Sequence, residues 1–365
     1  MDARAFLVNF FSFFFFFLLS LFALSFEVSK AQMVPAVFVF GDSQVDVGNN
    51  NYLPVSVAKA NFPHNGIDFP TKKPTGRFCN GKNAADLIAE KLGLPTSPPY
   101  LSLSNKKDAS YTNGISFASG GAGIFNSTDQ VFGQAIPLPK QVDNYLAVHK
   151  ILMQQLGAGA EKHSAESLFA IVIGSNDLFD YFGSSDLRKK YTPQQFVDLM
   201  ANNLKAQLKK LYAFGARKFF ISGVGLIGCI PAERVKNKTQ ECNEERNFWS
   251  DKYNQGLKAM LNGLKSELQG INYSYFDTYG IMQSVIQKPS AYGFNEIKAA
   301  CCGLGDLKAK VPCVPISTYC SNRKDHVFWD LYHPTEATAR IFVDALFDGT
   351  TQYSVPMNVR QLVST

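Results

Sequence analysis

The 365-residue sequence has no long run of lysine or arginine, although its formal charge is +6. Cations scattered in this way give little support to a nucleic-acid partner and suit, at most, mild attraction to acidic surfaces such as anionic polysaccharide. No internal repeat is present, and no low-complexity segment follows the N-terminal leader. Beyond residue 26 no segment is long and apolar enough to span a bilayer. No cysteine pair has CxxC spacing, which weakens a zinc reading. Histidine is scarce: His64, His149, His163, His326 and His333 are the only five. A general base must come from this short set if imidazole supplies it.

What is present points to an exported globular protein. Apolar residues make up 46% of the chain, and its length allows a large core. Residues 5–26 are almost wholly apolar, with an unbroken phenylalanine run at 13–17. Small residues at Ser29 and Ala31 follow, so residues 1–31 are expected to be a signal peptide cleaved near Ala31. An uncleaved membrane anchor is the alternative. Residues 32–365 are expected to form one domain with no stable membrane insertion after cleavage. Seven cysteines occur, four of them in CCGLGDLKAKVPCVPISTYC. In an exported chain these read as disulfides. Cys229 and Cys242 make a plausible local pair, and Cys301, Cys302, Cys313 and Cys320 are further candidates. With Cys79, one cysteine is left over. Asn126, Asn237 and Asn272 each open an N-x-S/T glycosylation acceptor.

Short apolar runs at 36–40, 168–173, 218–222 and 273–276 alternate with helical patterns. The clearest helix follows Thr192, with Pro193 at its first position and Gln195 completing a capping box. Phe196, Leu199, Met200, Leu204, Leu208 and Leu211 recur at helical spacing, and Gly215 is placed to end it. A second helix is expected after His333, with Pro334 first and Ile341, Phe342, Ala345 and Leu346 facing inward. The alternation predicts a parallel sheet covered on both faces, with the ligand site beyond the carboxyl ends of its strands.

Four motifs carry chemistry. VFVFGDSQVDVGNN delivers Ser43 to the turn after an apolar strand. ISFASGGAGIF offers close-approach glycines and lacks both the G-x-G-x-x-G and G-K-[ST] phosphate signatures. GSND supplies Asn176, whose amide is a donor of the oxyanion-binding type. FWDLYHPTE sets Asp330 three residues before His333, a spacing that lets a carboxylate orient an imidazole. His149 and His163 lie in polar stretches and read as solvated, while His326 reads as a packed neighbour. His333 and His163 each precede a glutamate at H-x-x-E spacing, but neither has a second histidine ligand on its element.

Their order along the chain resembles the SGNH hydrolases, and the mature chain resembles the plant GDSL esterase/lipase family. The likeness runs through GRFCNGKNAADLIAE, FAIVIGSND, GLIGC and ACCG to FWDLYHPTEA. It implies a three-layer α/β/α flavodoxin-like sandwich around a central parallel sheet. It implies a secreted serine esterase or lipase of the cell wall or apoplast, acting on a small-molecule or lipid ester without metal or organic cofactor. By the same resemblance Ser43, Asp330 and His333 are catalytic, and Ser43, Gly120 and Asn176 form the oxyanion hole. Gln44 departs from the family's usual leucine after the serine, which puts substrate preference in question. An α/β-hydrolase elbow is excluded, because Val45 stands where G-x-S-x-G needs its second glycine. Three alternatives stay open: acyl transfer to an alcohol, deacetylation of a wall polysaccharide, and a non-catalytic binding role.

Overall fold

A computed structural model describes residues 32–106, 108–128 and 133–365. The expected signal peptide lies outside the described residues. Four apolar runs form parallel strands: β1 (Val37–Gly41), β3 (Leu168–Val172), β4 (Lys218–Ser222) and β5 (Asn272–Phe276). The short β2 (Gly114–Ser116) and the antiparallel β6 (Ser354–Val355) extend the sheet, whose order is β6-β5-β4-β3-β1-β2. Omitting the antiparallel edge gives 2-1-3-4-5, a doubly wound order with its switch point between β1 and β3.

The strands alternate strictly. Phe38, Phe40, Phe169 and Phe219 pack on one face under α2 (Leu138–Leu156), α4 (Pro193–Ala213) and α5 (Glu244–Glu267). Val37, Val39, Ala170 and Phe220 pack on the other under α1 (Ala84–Lys91) and α6 (Glu336–Asp348). Burial on both faces explains why the strands read as continuous apolar runs. The three-layer sandwich is therefore as the sequence implies.

The cap predicted for α4 is present: Thr192 Oγ1 accepts from Gln195 N–H, and the Gln195 side chain accepts from Thr192 N–H. The start of α6 differs from expectation. Thr335 caps it, while Pro334 sits one residue earlier, bridged to Phe328. Proline there ends an extended segment instead of opening the helix. Of the expected inner face only Leu346 is fully buried, beside Ala339, Val343 and Phe347; Ile341, Phe342 and Ala345 are half-buried. The disulfides are Cys229–Cys242, Cys301–Cys320 and Cys302–Cys313. Cys79 is the free cysteine, and burial pushes its thiol far above the usual range. Asn126 and Asn237 are exposed, whereas Asn272 opens β5 and the serine of its acceptor triplet, Ser274, is fully buried.

Candidate active site

Strand register aligns the carboxyl ends of the sheet. Gly41, Val172, Ser222 and Phe276 stand in one row across β1, β3, β4 and β5. Everything that leaves β1 and β3 therefore emerges on the same edge, at the switch point. The chain turns sharply at Gly41 (φ +155°), where a Cβ would collide with the Val172 carbonyl oxygen. Gln141 of α2 grips this turn from behind: its Oε1 accepts from Gly41 N–H and its Nε2 donates to Gly41 O, each at 2.8 Å. The turn presents Ser43 half-buried at the wall of a cavity.

His333 meets Ser43 from the far end of the chain. Its Nε2 lies 2.7 Å from Ser43 Oγ, and its Nδ1 lies 2.8 Å from both oxygens of Asp330. A carboxylate only accepts, so Nδ1 carries the hydrogen and Nε2 is left to accept from the serine hydroxyl. Asp330 Oδ1 also accepts from the N–H groups of Tyr332 and His333, both at 2.8 Å, which fixes the carboxylate within its own turn. The Phe78 ring lies 5.0 Å from the imidazole and shields it. The structure thus brings Ser43, Asp330 and His333 together.

The glycine-rich turn is placed differently from the expectation. Gly120 N–H donates to Asp46 Oδ2 at 3.0 Å, and Gly120 O accepts from Asn50 Nδ2 at 2.9 Å. Gly120 therefore has no free N–H to offer a ligand, and Gly121 is the glycine of this turn that lines the cavity. Gly121 has φ +78°, and its N–H and that of Ser43 have no protein acceptor among the described residues. A peptide's N–H points opposite to its C=O. Anchoring Gly120 O on Asn50 therefore turns the Gly121 N–H the other way. Asn176, in the first turn of α3 (Ser175–Gly183), spends one amide hydrogen on Ala122 O at 2.9 Å and keeps the second.

Two buried acids that drew no notice in the sequence lock these pieces together. Asp46 accepts from Gly48, Asn49 and Gly120 N–H, tying the Ser43 turn to the glycine turn. Asp177 accepts from Ile124 and Phe125 N–H and from Thr128 Oγ1, tying α3 to the same turn. Burial pushes both carboxyls up to about 6, against the opposing pull of the N–H groups and the Thr128 hydroxyl. Burial drives Asp42 further, to about 7, partly offset by the Gln44 N–H and the nearby His333. The D-x-x-x-D spacing of Asp42–Asp46 and the D of GSND are the only signals the sequence carries for these roles. The other histidines lie elsewhere. His163 Nε2 meets Thr112 O at 2.8 Å and His149 packs on Tyr145 and Phe214, so neither is the solvated residue expected.

The cavity beside Ser43 has a volume of about 980 Å³. Phe179, Leu226, Met282, Phe328, Leu331 and Phe342 make much of its wall. Gln44 lines it too, holding only its backbone N–H on Asp42 Oδ1 at 3.0 Å.

A doubly wound α/β protein with serine, histidine and donor-rich turns on the carboxyl edge of its sheet belongs to the hydrolase class of that fold. The sequence model of the GDSL-like Lipase/Acylhydrolase family matches residues 37–346, and the chain belongs to that family. Among its relatives is an Arabidopsis thaliana GDSL esterase/lipase, 56% identical over 92% of each chain. A second from that plant is 41% identical over 91% of each, and a third is 40% identical over 87% of this chain and 90% of its own. The protein is accordingly a carboxylic ester hydrolase. Among the described residues no helix is long and apolar enough to cross a membrane.

Proposed function

We propose that this hydrolase is a secreted serine esterase or lipase working through an acyl-enzyme. Ser43 attacks the ester carbonyl while His333 Nε2 takes its proton and Asp330 holds the imidazole in the required tautomer. The oxyanion is received by the N–H groups of Ser43 and Gly121 and the second amide hydrogen of Asn176, each such donor typically worth about 3 kcal/mol. His333 then protonates the departing alcohol, and water, activated by the same imidazole, releases the acid. The observation that carries the reading is the unbroken chain from Ser43 Oγ to His333 to Asp330 at 2.7 and 2.8 Å. The apolar wall of the cavity favours an acyl chain over an acetyl group, and so a lipid-like ester over an acetylated polysaccharide. Three disulfides and the apolar leader support export.

The test is labelling with an active-site fluorophosphonate beside Ser43→Ala. Wild-type protein takes the label and the variant does not. A folded wild-type protein that takes no label overturns the reading.

A further inference from the structure

The mouth of the cavity is built from two loop segments and the Asp330–His333 turn. Val57, Lys59 and Phe62 line it from one segment, and Pro312, Val314 and Tyr332 from the other side. The segments are fastened to each other: Arg323 holds Asp68 with Nε at 2.5 Å and Nη2 at 2.9 Å, and the His64 and Tyr319 rings lie 4.8 Å apart. Exposed large apolar side chains concentrate here. Tyr52, Val55, Val57, Val311, Ile316 and Tyr332 are all exposed, with Val55 at 67%, Val57 at 73% and Ile316 at 81%. Branched aliphatic side chains this open to water on loops beside a cavity mouth mark an interaction surface.

Charge concentrates in the same place. Residues 51–74 and 304–324 hold seven lysines and arginines against two acids, Asp68 and Asp306, and so account for +5 of the chain's +6. Both acids are paired, with Arg323 and Lys310 respectively. Lys59, Lys72, Lys73, Lys308 and Lys324 remain as uncompensated cations within these segments. Apolar tips among cations suit an anionic lipid surface, where the tips enter the acyl boundary and the lysines meet headgroup charge.

We infer that the cavity mouth docks on an anionic lipid surface, from which the ester enters the cavity without crossing water. This rests on the reading of the cavity as an acyl-ester site. A long-chain ester has negligible concentration as a free solute, so a cavity with this wall must be filled from an aggregated phase.

The test is co-sedimentation with vesicles of phosphatidylcholine, alone or mixed with phosphatidylglycerol, using wild-type, Val55→Ser/Ile316→Ser and Lys72→Glu/Lys73→Glu proteins. Neither pair lines the cavity. Wild-type protein is expected to bind the mixed vesicles, more weakly as salt rises. The apolar pair is expected to weaken binding about tenfold or more. The lysine pair is expected to remove the preference for phosphatidylglycerol while hydrolysis of a short, soluble p-nitrophenyl ester stays unchanged for both. No vesicle binding by wild-type protein, or equal binding by either variant, overturns the inference. A matching fall in soluble-ester hydrolysis also overturns it, because the rim would then belong to the cavity. Binding to polygalacturonate with none to vesicles assigns the cationic face to a wall polysaccharide and overturns it as well. Binding needs no turnover, so Ser43→Ala protein serves equally: vesicle binding without any soluble-ester hydrolysis by wild-type protein sinks the catalytic reading alone.

Discussion

Replacing Asp330 by asparagine separates its two tasks. In the native turn Oδ1 accepts from two backbone N–H groups at 2.8 Å, and both oxygens face His333 Nδ1 at 2.8 Å. The amide oxygen of Asp330→Asn can keep both backbone bonds, so the turn survives. Its NH₂ then replaces Oδ2 beside Nδ1 and can only donate, which sets it against the Nδ1 hydrogen and favours the tautomer with the hydrogen on Nε2. The imidazole would donate to Ser43 Oγ instead of accepting from it. A base held in the wrong tautomer costs a serine hydrolase about 10⁴-fold in kcat, or about 5.4 kcal/mol. The expected result is a loss of about that size on a soluble p-nitrophenyl ester, equally slowed fluorophosphonate labelling, a nearly unchanged KM and a Tm within a few degrees. Asp330→Ala should lose the Tm as well, since two buried N–H groups lose their acceptor. If Asp330→Asn retained more than a tenth of wild-type kcat while folded, the tautomer argument would be refuted.

Asp177→Asn replaces one acceptor oxygen by a donor that faces the Ile124, Phe125 and Thr128 donors. It should lower kcat about 10- to 100-fold through misplacement of Asn176 and Gly121, with KM little changed; a change in KM alone counts against it. The three buried acids make stability depend on pH. Asp42, Asp46 and Asp177 titrate at about 7, 6 and 6 in the folded chain. An unfolded aspartate titrates near 3.9. The folded state binds these protons more tightly, so their contribution is complete below about pH 4 and is lost as pH rises through 6 to 7. Tm should rise as pH is lowered from 8 to 5, and Asp42→Asn should flatten the rise; a Tm that falls over that interval refutes the assignment. Gln44→Leu keeps the N–H that holds Asp42 and should label at a rate within about threefold of wild type, while its preference among acyl chain lengths shifts.

Much of the scaffold could be read from the sequence because a strand buried on both faces announces itself as an apolar run. The apolar runs at 168–173 and 218–222 match β3 and β4 almost to the residue, and capping chemistry marks the start of α4. The three residues of β2 and the two of β6 are too short to carry a pattern. Side chains with one dominant chemistry, such as Ser43 and His333, were legible as motifs. The donor role of a glycine was not, because it resides in a backbone N–H whose availability is decided by Asp46, 74 residues away. Likewise His149 and His163 have polar sequence neighbours, yet their environment comes from Phe214 and Thr112.

Ser43 and His333 are 290 residues apart, whereas the three disulfides span only 13, 19 and 11 residues. The crosslinks can therefore close as soon as each local loop reaches an oxidising compartment, while on the proposed mechanism the hydroxyl remains an ordinary alcohol until the C-terminal turn docks. A nascent or truncated chain can be oxidised and partly compact and still lack the Ser43–His333 contact on which the proposed chemistry rests. On that mechanism hydrolytic activity reports the arrival of the turn at residues 330–333, and the protein stays inert until that stage of folding.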